Sequence, residues 1–339
     1  MAITEQPLAS IVEYASIDDA LGPATRRYFG DGLRRVEQSI SDIHIGLGQV
    51  SVVSATGSLA YPALWSSKSS SAGELKPHLS SVDAVVFAVW LAECYLLQVY
   101  GLNEEQISRA WIRSLNIRAG AAPVENLDAF PISARGADTF RQPYSILDYV
   151  TKFECMIANI KVEITVEHEI SHLSHKVASF PSASEVLGQS FPLYGVGHRE
   201  NIRSVENVVV RIEKEKTDAR GAVTLTPNSI RAYGGISSAY ARSVSVLDGI
   251  IVTAQLIQAS LYRLDAVSRD DSSTLWMRHF SFSTETPYQP FASPFMASAN
   301  TKSLRLIEKG GVEWRMADFE ASMLSMSGTA SVTHILPSR

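Results

Sequence analysis

The six residues Phe29-Gly30-Asp31-Gly32-Leu33-Arg34 return 165 positions later as Tyr194-Gly195-Val196-Gly197-His198-Arg199. The same spacing holds well away from this segment. Ser39 is matched by Ser204, and the apolar Ile43 and Ile45 by Val208 and Val210. Ser80-Ser81-Val82-Asp83 is matched by Ser245-Val246-Leu247-Asp248, and Trp111-Ile112-Arg113 by Trp276-Met277-Arg278. Near the two ends, Phe153-Glu154 and His168 meet Phe319-Glu320 and His334 at a spacing of 166, one residue later. A fixed period across separated blocks marks a duplication, so the chain reads as two copies of one unit.

Each copy carries the same succession of elements. Segments 35–46 and 49–60 are rich in β-branched residues and closed by Gly, Pro and Ser, which predicts two strands. A long apolar helix follows, over 80–100 in the first copy and 245–263 in the second. The Trp-x-Arg strands come next, at 109–118 and 274–283. Cys155 to Glu167 alternates in character and predicts one long half-buried strand. Strands do not alternate regularly with helices, as a parallel sheet would require. The expected fold class is therefore α+β: a tandem double hotdog, each copy an antiparallel sheet wrapped around one long apolar helix. The expected boundaries are an N-terminal extension at 1–27, a first hotdog at 28–170, a Ser-rich linker at 171–192 and a second hotdog at 193–339. The copies are expected to pack about a pseudo-two-fold axis in a monomer, or the chain to form a homodimer.

Composition narrows the partners. The 339 residues are 45% hydrophobic and 19% charged, with 30 basic against 35 acidic residues and a net charge of −5. No basic block tracks a phosphate backbone, so nucleic acid is not expected. Cys94 and Cys155 are too few for a disulfide framework, and MAITEQPLAS lacks the features of a signal peptide, which points to the cytoplasm. Val82 to Leu102 approaches the roughly 20 residues that span a bilayer. It carries Asp83, Glu93 and Gln98, however, and a carboxylate near the bilayer centre costs at least ~2.5 kcal/mol. A helix apolar on nearly every side is also what a sheet-wrapped helix must be, so no membrane partner is expected.

The candidate catalytic residues are Asp83, Asp248, His78 and His198. Each aspartate starts a long helix, where free backbone N–H groups would polarise a thioester carbonyl while the carboxylate moves a proton. Both also complete S-x-x-D capping boxes, and capping alone would account for them. His78 has Ser243 as its repeat partner and His198 has Leu33, so each breaks the symmetry. Either is a candidate general base, or an ordinary loop histidine. The candidate binding residues are Tyr61, Trp65, Glu93, Arg113 and Arg278. Tyr61 and Trp65 would line an apolar tunnel or belong to the core. Glu93, opposite Gln258 in the repeat, marks a polar pocket or the wet rim of the sheet. Arg113 and Arg278 would hold an anion such as phosphate, or pair with carboxylates in the seam between copies. His168-Glu169-Ile170-Ser171-His172, with His175 beyond, has zinc spacing only if it is helical, and it follows a strand. No metal or cofactor is expected, because no phosphate loop, dinucleotide fingerprint or nucleophile elbow is found.

Several of these segments together resemble the bacterial avirulence protein D family. They are Phe29-Gly-Asp-Gly-Leu-Arg-Arg-Val36, Tyr61-Pro-x-x-Trp65-Ser-Ser-Lys68, Pro77-His-Leu-Ser-Ser-Val-Asp83 and the strand of Trp111 and Arg113, and the likeness covers about 28–336. The resemblance implies work in specialised metabolism, the synthesis of syringolide-type elicitors from a β-ketoacyl chain and a pentulose. More distantly the layout is similar to A-factor biosynthesis proteins, which transfer a β-ketoacyl group to a dihydroxyacetone phosphate hydroxyl, and to polyketide dehydratases. The dehydratases carry His-Pro-x-x-Leu-Asp, echoed by His78 to Asp83 with Leu79 at the proline. Their partner segment His-x-x-x-Gly-x-x-x-x-Pro has no counterpart here, which puts simple dehydration in doubt. The implied activity is transfer of a β-ketoacyl group from an acyl carrier protein or coenzyme A thioester to a xylulose-like sugar or polyol, with or without cyclisation. The alternatives are an acyl-thioester dehydratase, hydratase or isomerase, and a non-catalytic ligand-binding double hotdog.

Overall fold

Capping serines set where the long helices begin and β-branched runs set the strands, and both patterns come twice. The structure, a computed structural model, describes residues 10–337 apart from 47–50, 64, 67–68, 71–72, 75, 175, 189–190, 215, 228–230, 271 and 292. It opens with β1 (Ser10–Ser16) and α1 (Ile17–Leu21). Tight turns over 24–35 lead into β2 (Glu37–Gly46) and β3 (Val52–Ala60), then a small pair, β4 (Ser69–Ser70) and β5 (Gly73–Glu74). After these come α2 (Ser81–Gln98), α3 (Glu104–Arg109), β6 (Trp111–Arg118), β7 (Phe130–Arg141), β8 (Tyr149–Ile157) and β9 (Ile160–His168). The second half holds β10 (Ala178–Ser182), α4 (Ala183–Leu187), α5 (His198–Glu200), β11 (Asn201–Glu213), β12 (Lys216–Pro227) and α6 (Val246–Leu264). It closes with β13 (Trp276–Ser283), β14 (Phe295–Lys309), β15 (Val312–Met323) and β16 (Met326–Ile335).

All but β4 and β5 join one antiparallel sheet in the order β1-β11-β12-β14-β15-β16-β13-β6-β9-β8-β7-β3-β2-β10. The two Trp-x-Arg strands meet at its centre, from His279 opposite Arg118 to Ser283 opposite Ser114. At the outer edges the chain crosses over. β1 pairs with β11 in the second half, and β10 pairs with β2 in the first. Residues 10–21, within the expected extension, and 178–187, within the expected linker, are thus strand–helix units on the sheet's two edges.

Helix α2 packs on β2, β3, β7, β8 and β9, and every residue from Val82 to Leu96 is buried. By length and composition it passes for a membrane span, yet 83% of it lies inside the protein. Its apolar surface is the core of the first half, where each buried Val, Leu or Phe side chain contributes roughly 1.5–3 kcal/mol. Helix α6 packs on β11 to β15. A curved antiparallel sheet closed over long apolar helices is hotdog-type packing.

Residues 155–167 are not the single strand that alternation suggests. They belong to the hairpin of β8 and β9, in which Ile157 faces Ile160 across a turn with Ala158 at φ 52°. A two-residue turn preserves the period of two, so alternation runs unbroken through it.

Candidate active site

The capping serines do different work in the two halves. In α6 the box is complete: Asp248 N–H donates to Ser245 Oγ (3.2 Å) and Ser245 N–H donates to Asp248 Oδ2 (2.8 Å). In α2 only the first half of that exchange exists, with Asp83 N–H on Ser80 Oγ at 3.1 Å. The Asp83 carboxylate instead gathers side chains from elsewhere in the fold. Tyr61 hydroxyl donates to Oδ2 at 2.6 Å, Ser80 hydroxyl at 2.6 Å and Tyr28 hydroxyl at 3.1 Å. Gln38 Nε2 donates to Oδ1 at 2.7 Å. Burial first, and then the Asp83 charge, raise both tyrosines well above the ordinary phenol range, so they remain protonated donors.

A cavity of about 610 Å³ opens against this corner. Tyr28, Tyr61, Trp65, His78 and Ser80 line it from the first half, with Asp83 immediately behind their hydroxyls. The rings form one aromatic wall: Tyr28 stacks on Tyr61 at 6.1 Å, Trp65 meets Tyr61 edge-on at 5.4 Å, and His78 lies 5.2 Å from Trp276. His78 Nδ1 is 3.1 Å from the Lys76 carbonyl, which only accepts. The proton of the neutral ring is therefore on Nδ1, leaving Nε2 as the basic nitrogen. From the second half come Ile250, Thr253 and Gln258 of α6, together with Trp276, Arg278 and Trp314. The site lies between the halves.

The equivalent corner of the second half is filled. Asp248 pairs with Arg203, whose Nε and Nη2 lie 2.7 and 2.6 Å from Oδ1, both side chains being buried. Arg203 stands where the first half has Gln38. Glu93, the counterpart of Gln258, accepts from Ile236 N–H at 3.2 Å, and burial pushes its carboxyl up to about 7. The Trp90 indole N–H donates to the Tyr194 carbonyl at 2.7 Å, and Tyr194 and Ile236 are core residues.

The sequence candidates therefore divide. Asp83, His78, Tyr61, Trp65 and Arg278 come together around one cavity. Asp248 is a helix cap in an ion pair, and Glu93 is an interior carboxyl away from the cavity rather than on a wet rim. His198 is buried in the glycine-rich turn, where its Nδ1 accepts from Gly195 N–H at 2.9 Å, and burial holds the ring neutral. Arg113 pairs with Glu167 (3.2 Å) and Gln142 (2.7 Å) away from the cavity. His168 ends β9 and bonds Thr151 through Nε2 at 2.7 Å, and residues 169–174 form no helix, so the zinc spacing is not on one face. His175 lies outside the described residues. Sequence reading missed Tyr28, Gln38 and Gln258, although a signal existed: comparing partners at the 165-residue spacing pairs Gln38 with Arg203.

No curated protein matches the sequence. Solved structures with a similar course of chain include the tesB protein of Mycobacterium avium subs paratuberculosis, at 12% identity and TM-score 0.37, covering 91% of this chain and 100% of that one. A conserved hot dog fold protein of unknown function from Alicyclobacillus acidocaldarius has 11% identity, TM-score 0.39 and coverage of 87% and 96%. The dehydratase domain of the polyketide PpsC from Mycobacterium tuberculosis has 10% identity, TM-score 0.34 and coverage of 88% and 98%. The family model for the Pseudomonas avirulence D protein (AvrD) matches residues 12–337, and the chain belongs to that family.

Proposed function

We propose that the chain is a tandem double hotdog, with units at 28–170 and 193–339, that transfers a β-ketoacyl group from a thioester to a sugar or polyol hydroxyl at one working site. The observation that carries this reading is the cavity, walled largely by apolar side chains, that opens against the hydroxyls surrounding Asp83. The apolar walls suit an acyl chain, and the polar end suits the reacting atoms. The thioester oxygen accepts from the Ser81 N–H at the start of α2, where Ser81 lines the cavity. An acceptor hydroxyl passes its proton through Ser80 or Tyr61 to Asp83, and its oxygen attacks the carbonyl carbon. The tetrahedral intermediate collapses, the carbon–sulfur bond breaks, and the leaving thiolate takes the proton back. His78, with Nε2 free to accept, orients the second substrate's hydroxyl. The donor is a coenzyme A or acyl carrier protein thioester and the acceptor is xylulose-like.

The test is thiol release from β-ketoacyl coenzyme A and carrier thioesters with and without xylulose. Release should require the acceptor and fall roughly 100- to 10,000-fold in Asp83→Asn, while Asp248→Asn keeps its rate per folded molecule. Release indifferent to the acceptor, or untouched by Asp83→Asn, would sink the reading.

A further inference from the structure

Helix α6 presents one stripe of side chains to the cavity. Ile250, Thr253, Ala254 and Ile257, spaced i, i+3, i+4 and i+7, all line it. The equivalent stripe of α2, at the 165-residue spacing, is Val85, Ala88, Val89 and Ala92, apolar throughout and fully buried. Thr253 therefore carries a hydroxyl found only in the copy whose helix runs along the cavity.

That hydroxyl has no partner in the fold. Thr253 is 3% exposed, yet its side chain makes no hydrogen bond among the described residues, not even to a carbonyl of its own helix. The other buried serines and threonines all have one: Thr151, Thr217, Ser260, Ser272, Thr284 and Thr301. A buried hydroxyl left unpaired costs stability, whereas a methyl of the same shape in its place does not. The partner of Thr253 has to come through the cavity. Its apolar neighbours on the stripe suit a molecule that is mostly hydrocarbon with an isolated oxygen.

We infer that Thr253 is a specificity-determining residue: its hydroxyl donates a hydrogen bond to the 3-oxo oxygen of the acyl chain and so selects β-ketoacyl over saturated donors. An acyl thioester has one oxygen at the reacting carbonyl, which the acyl-transfer reading sets against the Ser81 N–H. A β-ketoacyl chain has one further oxygen, two carbons along. A wall with a hydrogen-bonding group for that oxygen discriminates against the chain lacking it, because the donor is then left unpaired. The inference rests on the acyl-transfer reading for the identity of the chain, but it concerns binding, so either can fail alone.

The experiment uses coenzyme A analogues in which a methylene replaces the thioester sulfur, so that no transfer occurs, in a 3-oxoacyl and a saturated form of equal chain length. In calorimetric titration of the full chain the 3-oxoacyl form should bind roughly tenfold more tightly. Thr253→Val, which keeps the side-chain shape, should abolish that preference with the saturated form bound no worse, and Thr253→Ser should retain it. Without ligand, Thr253→Val should melt at or above the wild-type temperature, since it removes an unpaired hydroxyl. Equal affinities in the wild type would leave the hydroxyl to water and overturn the inference while the acyl reading stands. A preference that survives Thr253→Val, or a valine variant that melts below the wild type, would also overturn it. No binding of either form would remove both, and a preference without any transfer activity would remove transfer alone.

Discussion

Position 38 and its counterpart at 203 give the two aspartates different partners. Gln38 gives Asp83 one neutral amide bond at 2.7 Å, whereas Arg203 brings a full charge against Asp248 through two nitrogens. A buried arginine pair fixes a carboxylate as an ion. The amide and three hydroxyls around Asp83 are neutral donors, and the hydroxyls of Tyr28, Tyr61 and Ser80 belong to residues that line the cavity. Gln38→Arg should therefore convert the first corner into the second: thiol release falls about 100-fold or more, while the melting temperature holds or rises. A variant that keeps wild-type turnover would show that the neutral partner is irrelevant. At this scale the sequence revealed the two aspartates and the odd histidine but not what surrounds them. Asp83's neighbours come from a turn at 28, a strand at 38 and a loop at 61, and no local pattern links those positions. The glycines of the duplicated turn were legible as turns, and their reason is contact. A Cβ on Gly32 would collide with the Trp65 carbonyl, and Gly195, at φ +113°, packs against Trp90.

Among the elements, the two long helices were the most legible, with α2 and α6 close to the expected spans because a uniformly apolar run behind a capping serine has few other readings. Their interior polar residues were not, since a carboxylate in such a run is equally consistent with a rim and with a buried partner. Glu93 of α2 has the Ile236 N–H as a donor and a carboxyl raised to about 7 by burial. The sign of its effect on stability follows from that shift. The unfolded carboxyl ionises near 4.5 and the folded one near 7, so the folded state holds the extra proton between those values. Glu93 therefore contributes fully below about pH 4.5 and loses its contribution as pH rises through 7. Glu93→Gln should match the wild type near pH 5 and be more stable at pH 8, by at most about 3 kcal/mol. Urea unfolding at the two pH values measures this, and equal stabilities at pH 8 would place the acid in water.

Beyond the central pairing of β6 with β13, the two halves are tied at the sheet's edges by segments that composition alone reads as a tail and a linker. β1 is the first element among the described residues yet pairs with β11 of the second half, from Ser10 opposite Ile212 to Ser16 opposite Glu206. β10 is the first strand of the second half yet pairs with β2 of the first, from Ala178 opposite Ile45 to Ser182 opposite Ser41. This crossing was hidden because strand partners across a duplication are set by topology, which short edge strands do not encode in their own alternation. It also bears on the site. The stretch after β1 carries Arg27, whose Nη1 bonds Gln255 of α6 at 2.6 Å, and then Tyr28, a donor to Asp83. Deleting residues 1–15, which keeps Ser16 to cap α1, should therefore do two things. The bare β11 edge becomes a template for pairing with another chain, so the protein should self-associate in light scattering. The loss of several net hydrogen bonds, each about 0.5–1.5 kcal/mol, should lower the melting temperature by at least about 5 °C. The first turn loses an anchor that positions Tyr28, so thiol release per folded molecule should fall as well, more than in Asp248→Asn. A truncated chain that stays monomeric, melts with the wild type and keeps its rate would mean that the crossed edges hold neither the halves nor the cavity in place.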